Sequence, residues 1–204
     1  MHSTFVKRLL FGLFAILLCG CSAQQTTSSP QSDVQPPTTE EPFDITQDKP
    51  AMPKVASLPD LGPAPELTND IWLNVPSPLR IADLQGKVVI VEMWTFGCIN
   101  CQHVIPSLKD WHSKYADQGL VIIGNHYPEF SYEEDLDNVK DAVDRLGIEY
   151  AVAQDNGGKT WRAYKNHYWP TLYLIDKNGV LRKIWRGVDP RQHSEEVIAA
   201  IKAL

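Results

Sequence analysis

Val88-Val89-Ile90-Val91-Glu92-Met93-Trp94-Thr95-Phe96-Gly97-Cys98-Ile99-Asn100-Cys101 decides the fold. Its first seven residues are an apolar run broken by one acid, the pattern of a strand buried on both faces. Beyond Cys98, residues Val104, Leu108, Trp111 and Tyr115 recur at helical spacing, so a helix is predicted over Ile99 to Asp117. The C-x-x-C therefore sits where a buried strand hands over to a helix. A cysteine at a helix N-terminus faces unpaired N–H groups and the positive end of the macrodipole, which favour its thiolate. Two intervening residues bring the second sulfur round by one turn. Cys98 is then the exposed nucleophile towards a disulfide, and Cys101, one turn deeper, the resolving thiol.

The same spacing is half of a zinc site, or a structural disulfide. No second C-x-x-C exists, and His103, His126 and His167 stand at no recognised ligand spacing, so no metal is expected. Outward from the motif, strands and helices alternate. Gly119 ends the first helix, Leu120–Gly124 reads as a second buried strand, and Ser131 with Glu134 reads as a capping box opening a helix towards Leu146-Gly147. A short strand over Tyr150–Ala153 and a short helix over Lys159–Tyr164 follow. Thr171–Ile175 and Val180–Trp185 flank the turn Asp176-Lys177-Asn178-Gly179, and a last helix starts near Pro190. The order β-α-β-α-β-α-β-β-α predicts an α/β domain with a mixed central sheet and helices on both faces.

The N-terminal third differs in kind. Lys7 and Arg8 precede the apolar run Leu9–Leu18, the layout of a secretory signal, too short for a membrane span. Leu18-Cys19-Gly20-Cys21 resembles the bacterial lipobox, which implies a signal peptide over 1–20 and lipidation of Cys21. Residues 22–66 hold nine of the fifteen prolines, ten Ser or Thr, and seven acids against two lysines. Such a stretch buries too little apolar surface to offset its ordering entropy and reads, from 21 to 66, as a lipidated, disordered tether. All six tryptophans lie beyond it, leaving 67–204 as one domain. The net charge of −6 argues against nucleic acid as a partner.

The segment around Cys98 resembles the active site of thioredoxins. Glu92 takes the place of that family's buried acid, Trp94 and Pro106 match its tryptophan and helix proline, and Trp169-Pro170-Thr171 matches its cis-proline loop. Trp94-Thr95-Phe96-Gly97-Cys98-Ile99-Asn100-Cys101 is similar, more narrowly, to the W-T-x-x-C-I-N-C segment of DipZ-type extracytoplasmic domains, relatives of TlpA-like thiol-disulfide oxidoreductases. His126–Phe130, Asp137–Lys140 and Asn166–Pro170 extend the likeness across roughly residues 66–188. The resemblance implies a thioredoxin-like fold with an N-terminal β extension and an insertion over about 128–165. It further implies Glu92 as proton acceptor for Cys101, a substrate groove at Trp169, cis-Pro170 and Thr171, and no cofactor beyond the redox-active Cys98–Cys101 disulfide. Expected partners are protein disulfides, a separate membrane electron donor of the DsbD/CcdA kind, and the membrane itself through the lipid anchor. The expected location is extracytoplasmic, on the periplasmic face of a bacterial membrane. Glu129 and His103 are weaker site candidates. Two other functions fit the residues: a thiol peroxidase built on Thr95-Phe96-Gly97-Cys98, and a metal-delivery module using both thiols and a histidine.

Overall fold

The structure, a computed structural model, describes residues 58–187 and 197–202. The segment read as a signal peptide, Cys21, most of the segment read as a tether, and Pro190 lie outside the described residues. Six strands form one sheet in the order β1-β4-β3-β2-β5-β6: β1 Ile71–Leu73, β2 Val88–Trp94, β3 Leu120–His126, β4 Ala151–Gln154, β5 Thr171–Ile175 and β6 Leu181–Arg186. β2, β3 and β4 are parallel, while β1, β5 and β6 run against their neighbours. Among the described residues the helices α1 Ile99–Tyr115, α2 Leu136–Leu146 and α3 Lys159–Ala163 accompany them. Residues 197–202 are also helical, and Val197, Ala200 and Ile201 join the core. The mixed α/β sheet expected from the sequence is present, and β1 supplies its N-terminal strand.

All seven residues of β2 are buried, and side chains alternate between faces along a strand. Val88, Ile90 and Trp94 enter the core shared with α1, while Val89, Val91 and Met93 enter the core on the other face. Glu92 follows the same parity as Ile90 and Trp94. Its carboxyl therefore points to the α1 side, where Cys101 is also fully buried. The period-2 rule, applied to one strand, brings the acid to the thiol.

α1 buries Cys101, Val104, Ile105, Leu108 and Trp111, one apolar stripe at helical spacing. It ends at Tyr115, and a single 3-10 turn over Ala116–Gln118 carries the chain to Gly119 at φ +99°, a left-handed position that favours glycine.

Two sequence expectations are corrected. Ser131 and Glu134 do not open α2. The cap is Asp135, whose carboxylate accepts from the N–H of Asp137 at 2.8 Å and of Asn138 at 3.4 Å, and Ser131–Glu133 forms a separate 3-10 turn. In addition, the composition break at residue 66 falls inside folded chain. The N–H of Leu61 donates to Leu181 O at 3.0 Å, that of Ala64 to Gly179 O at 2.9 Å, and that of Leu181 to Gly62 O at 2.9 Å, so the segment runs alongside the start of β6. Pro63 faces Val180 within it, at a place where no N–H is asked of it. Leu67 is fully buried, and Glu66 accepts from the N–H of Ile81 at 2.6 Å.

Candidate active site

Cys98 is the N-cap of α1, and its sulfur accepts the N–H of Cys101 at 3.4 Å. It is half-buried, whereas Cys101 behind it is not exposed at all, and both are free thiols. Donation from the Cys101 thiol, joined by the N–H groups of Cys101 and Asn100, lowers the Cys98 pKa to about 6. Unpaired donors at a helix start act on a thiolate in this way. Burial, the donated bond to Cys98 and the nearby Glu92 push the Cys101 thiol far up. The pair is thus split into an ionised outer sulfur and a protonated inner one, as attack followed by resolution requires.

Glu92 is fully buried, and burial raises its carboxyl to about 8 despite the bond donated by the Tyr150 hydroxyl to Oε2 at 3.3 Å. Desolvation disfavours the charged form. Oε1 has no hydrogen-bond partner among the described residues. Glu92 and Cys101 are close enough to act on each other electrostatically.

The Trp169–Pro170 peptide bond is cis. Trp169 is half-buried, donates from Nε1 to Tyr127 O at 3.2 Å, stacks with Tyr127 and packs at a tilt against Trp161. Trp169 and Cys98 pack against the same core. Thr171 is fully buried and its hydroxyl turns back to Tyr168 O at 2.9 Å, so its side chain supports the loop from within.

The remaining sequence candidates separate. Glu129 is exposed and acts electrostatically on Cys98. His103 and His167 are exposed. His126 is fully buried beneath Phe96, their rings stacked at 5.4 Å between centroids, and burial lowers its pKa to about 4. No group of three or more His, Cys, Asp or Glu among the described residues is arranged to hold a metal.

Glu133 is the residue that sequence reasoning missed. It is fully buried, and its carboxylate accepts the N–H of Gly97 at 2.7 Å, of Glu129 at 2.6 Å and of Phe130 at 2.9 Å, besides the Thr95 hydroxyl. These bonds favour the charged form and hold its pKa below the ordinary carboxylate value against the opposing effect of burial. Thr95 Oγ1 lies 3.3 Å from His126 Nε2. With its hydroxyl proton directed to Glu133, Thr95 accepts from the Nε2–H tautomer of the neutral imidazole. A Cβ at Gly97 would collide with Glu133 Oε1 and lie 2.9 Å from the Tyr132 hydroxyl, so only glycine lets the loop close this tightly. Glu133 thereby ties residues 95–97, the corner that presents Cys98, to the loop following β3. In the sequence, Glu133-Glu134-Asp135 is a run of three acids with nothing to single out the first.

Residues 63–184 match the model of the AhpC/TSA family. The chain belongs to that family. Among AhpC/TSA relatives and other similar proteins, DipZ of Mycobacterium tuberculosis is 44% identical over 132 residues, covering 63% of this chain and 19% of DipZ. The chain thus spans about a fifth of that relative's length. The thiol-disulfide oxidoreductase ResA of Geobacillus thermodenitrificans is 30% identical over 122 residues, 58% of this chain and 67% of ResA. The solution structure of a thioredoxin-like protein in the oxidized form superposes with a TM-score of 0.63 at 26% identity, covering 69% of this chain and 95% of that one. The AhpC/TSA domain described here has the thioredoxin-like fold expected from the active-site segment.

Proposed function

We propose that the chain is a thiol-disulfide oxidoreductase that reduces protein disulfides through Cys98 and Cys101. One observation carries the reading: a half-exposed sulfur at a helix N-terminus, ionised near pH 6, backed by a buried protonated thiol. The Cys98 thiolate attacks one sulfur of the substrate disulfide, forming a mixed disulfide and expelling the other sulfur as thiolate. Glu92 in its ionised form, a minority that grows as pH approaches about 8, then takes the proton of Cys101, and Cys101 attacks Cys98 Sγ, releasing the second substrate thiolate. Two electrons pass from the dithiol to the substrate, and the domain is left as the Cys98–Cys101 disulfide. Trp169 and cis-Pro170 form one wall of the groove in which the substrate strand lies. ResA, named a thiol-disulfide oxidoreductase, supports this reading.

The proposal extends to an extracytoplasmic location, a lipid anchor at Cys21 and a separate membrane electron donor of the DsbD/CcdA kind. The lipobox-like Leu18-Cys19-Gly20-Cys21 and the likeness to DipZ support it. A peroxidase reading is less well served, because the Thr95 hydroxyl is committed to Glu133 and His126.

Substrate trapping tests the central claim. Cys101→Ser, expressed in its host, accumulates mixed disulfides through Cys98 that mass spectrometry identifies, and Cys98→Ser accumulates none. Absence of adducts together with rapid oxidation of the reduced protein by hydrogen peroxide would replace this reading with the peroxidase.

A further inference from the structure

Beside Cys98 lies a surface that the exchange chemistry itself does not use. Phe96 is two residues before Cys98. Its ring is 5.8 Å from that of Tyr132, which stacks in turn on Phe130 at 5.7 Å with the planes 5° apart. Phe130 and Tyr132 are each about half exposed, at 50% and 52%, and Ile99, next to Cys98, is exposed at 60%. Large apolar side chains left in water as a contiguous group mark an interaction site. The loop beneath them cannot drift, because the Glu133 carboxylate clamps Gly97, Glu129 and Phe130 together. The aromatic rim and the nucleophile are therefore held by one carboxylate.

The same loop is acidic. Glu129, Glu134 and Asp135 are exposed, and neither 94–108 nor 120–139 contains a lysine or arginine. Glu129 is near enough to Cys98 to act on it through space. A negative charge there works against the thiolate, so its presence calls for a cationic neighbour when substrate is bound.

We infer that the Phe96–Tyr132–Phe130 rim and the acids Glu129 and Glu134 form a docking surface for polypeptide segments whose disulfide cysteine is flanked by basic and aromatic side chains. Apolar contact anchors the segment, and the acids select a basic flank and repel an acidic one. This inference rests on the proposed oxidoreductase activity and specifies its substrate class.

The test uses reduced protein and two short peptides, each with one cysteine capped as a mixed disulfide with thionitrobenzoate. Their flanks are Arg and Phe in one and Glu and Gly in the other, and neutral hydroxyethyl disulfide is the reference. Single-turnover rates follow thionitrobenzoate release for the peptides and loss of free protein thiol for the reference. The Arg/Phe peptide reacts about tenfold faster than the Glu/Gly peptide at low ionic strength, and the ratio shrinks in high salt. Glu129→Lys brings the ratio towards one or inverts it. Phe130→Ala lowers the rate of the Arg/Phe peptide and leaves the salt dependence in place. Equal rates for the two peptides with hydroxyethyl disulfide still reduced would overturn the docking surface alone. Failure to reduce even hydroxyethyl disulfide would overturn the oxidoreductase reading and this inference with it.

Discussion

Replacing Glu133 by alanine removes the acceptor of three backbone N–H bonds at 2.6–2.9 Å. A donor stripped of its partner costs about 1–3 kcal/mol, and bonds to a charged acceptor lie at the upper end. Gly97, Glu129 and Phe130 are exposed residues, so water replaces part of what is lost, and the expected total is about 3–5 kcal/mol. Against a typical domain stability of about 5–15 kcal/mol, that leaves a folded but weakened protein. Glu133→Gln is milder, since its amide oxygen still accepts from the donors on one side, although its NH2 then faces the rest as a second donor. Equilibrium unfolding of the reduced proteins in guanidinium chloride measures both. The sign of the pH dependence follows from a folded-state pKa held below the ordinary carboxylate value. The carboxylate's contribution is complete above that value and is lost as pH falls through the folded pKa. The gap between wild type and Glu133→Gln therefore narrows in acid. A loss under about 1 kcal/mol for Glu133→Ala, or a gap indifferent to acid, would refute the clamp.

Alkylation of Cys98 by iodoacetamide should rise with a midpoint near pH 6 and not near 9; a midpoint above 8 would contradict the helix-terminus assignment. Glu92→Gln should slow resolution of a trapped mixed disulfide about a hundredfold or more while leaving the first attack nearly intact, as single-turnover kinetics can separate. In the folded state Glu92 holds its proton up to about pH 8, so its effect disfavours folding progressively as pH rises from 4.5 through 8. Glu92→Gln should accordingly lose less stability than wild type between pH 6 and 9, read from denaturant midpoints. Gly97→Ala should destabilise by about 1–3 kcal/mol through its collision with Glu133 and the Tyr132 hydroxyl, and slow attack by Cys98. Unchanged unfolding and exchange rates would contradict that packing.

The parts of the site that were legible in the sequence are those set by local periodicity. Alternation along β2 places Glu92 on the α1 face, one helical turn places Cys101 behind Cys98, and the match of Trp169-Pro170 to a known loop anticipates the cis bond. What escaped depends on contacts between distant segments. Glu133 reaches Gly97 across 36 positions of chain, and its neighbour Glu134 has the better capping-box spacing while exposed. Asp135 outcompetes Ser131 as the cap because the intervening turn is 3-10, which shifts the start of α2. Residues 61–66 look like tether by their prolines, yet they fold because β6 supplies the backbone partners.

That pairing also settles the fate of the sheet's outer strands. β6 would otherwise open one margin of the sheet to any passing chain, and segment 61–64 covers its start. At the other margin, β1 is only three residues long and stops at Asn74, whose φ of +62° turns the backbone away. Its side chain donates to Ile148 O and Tyr150 O. An open margin templates pairing with foreign strands. For a protein whose proposed substrates are other polypeptides, caught while their disulfides are being rearranged, such templating would be a standing risk of co-aggregation. A three-residue strand at one margin and a covered start at the other reduce that risk while the protein meets those chains through Cys98 and releases them afterwards.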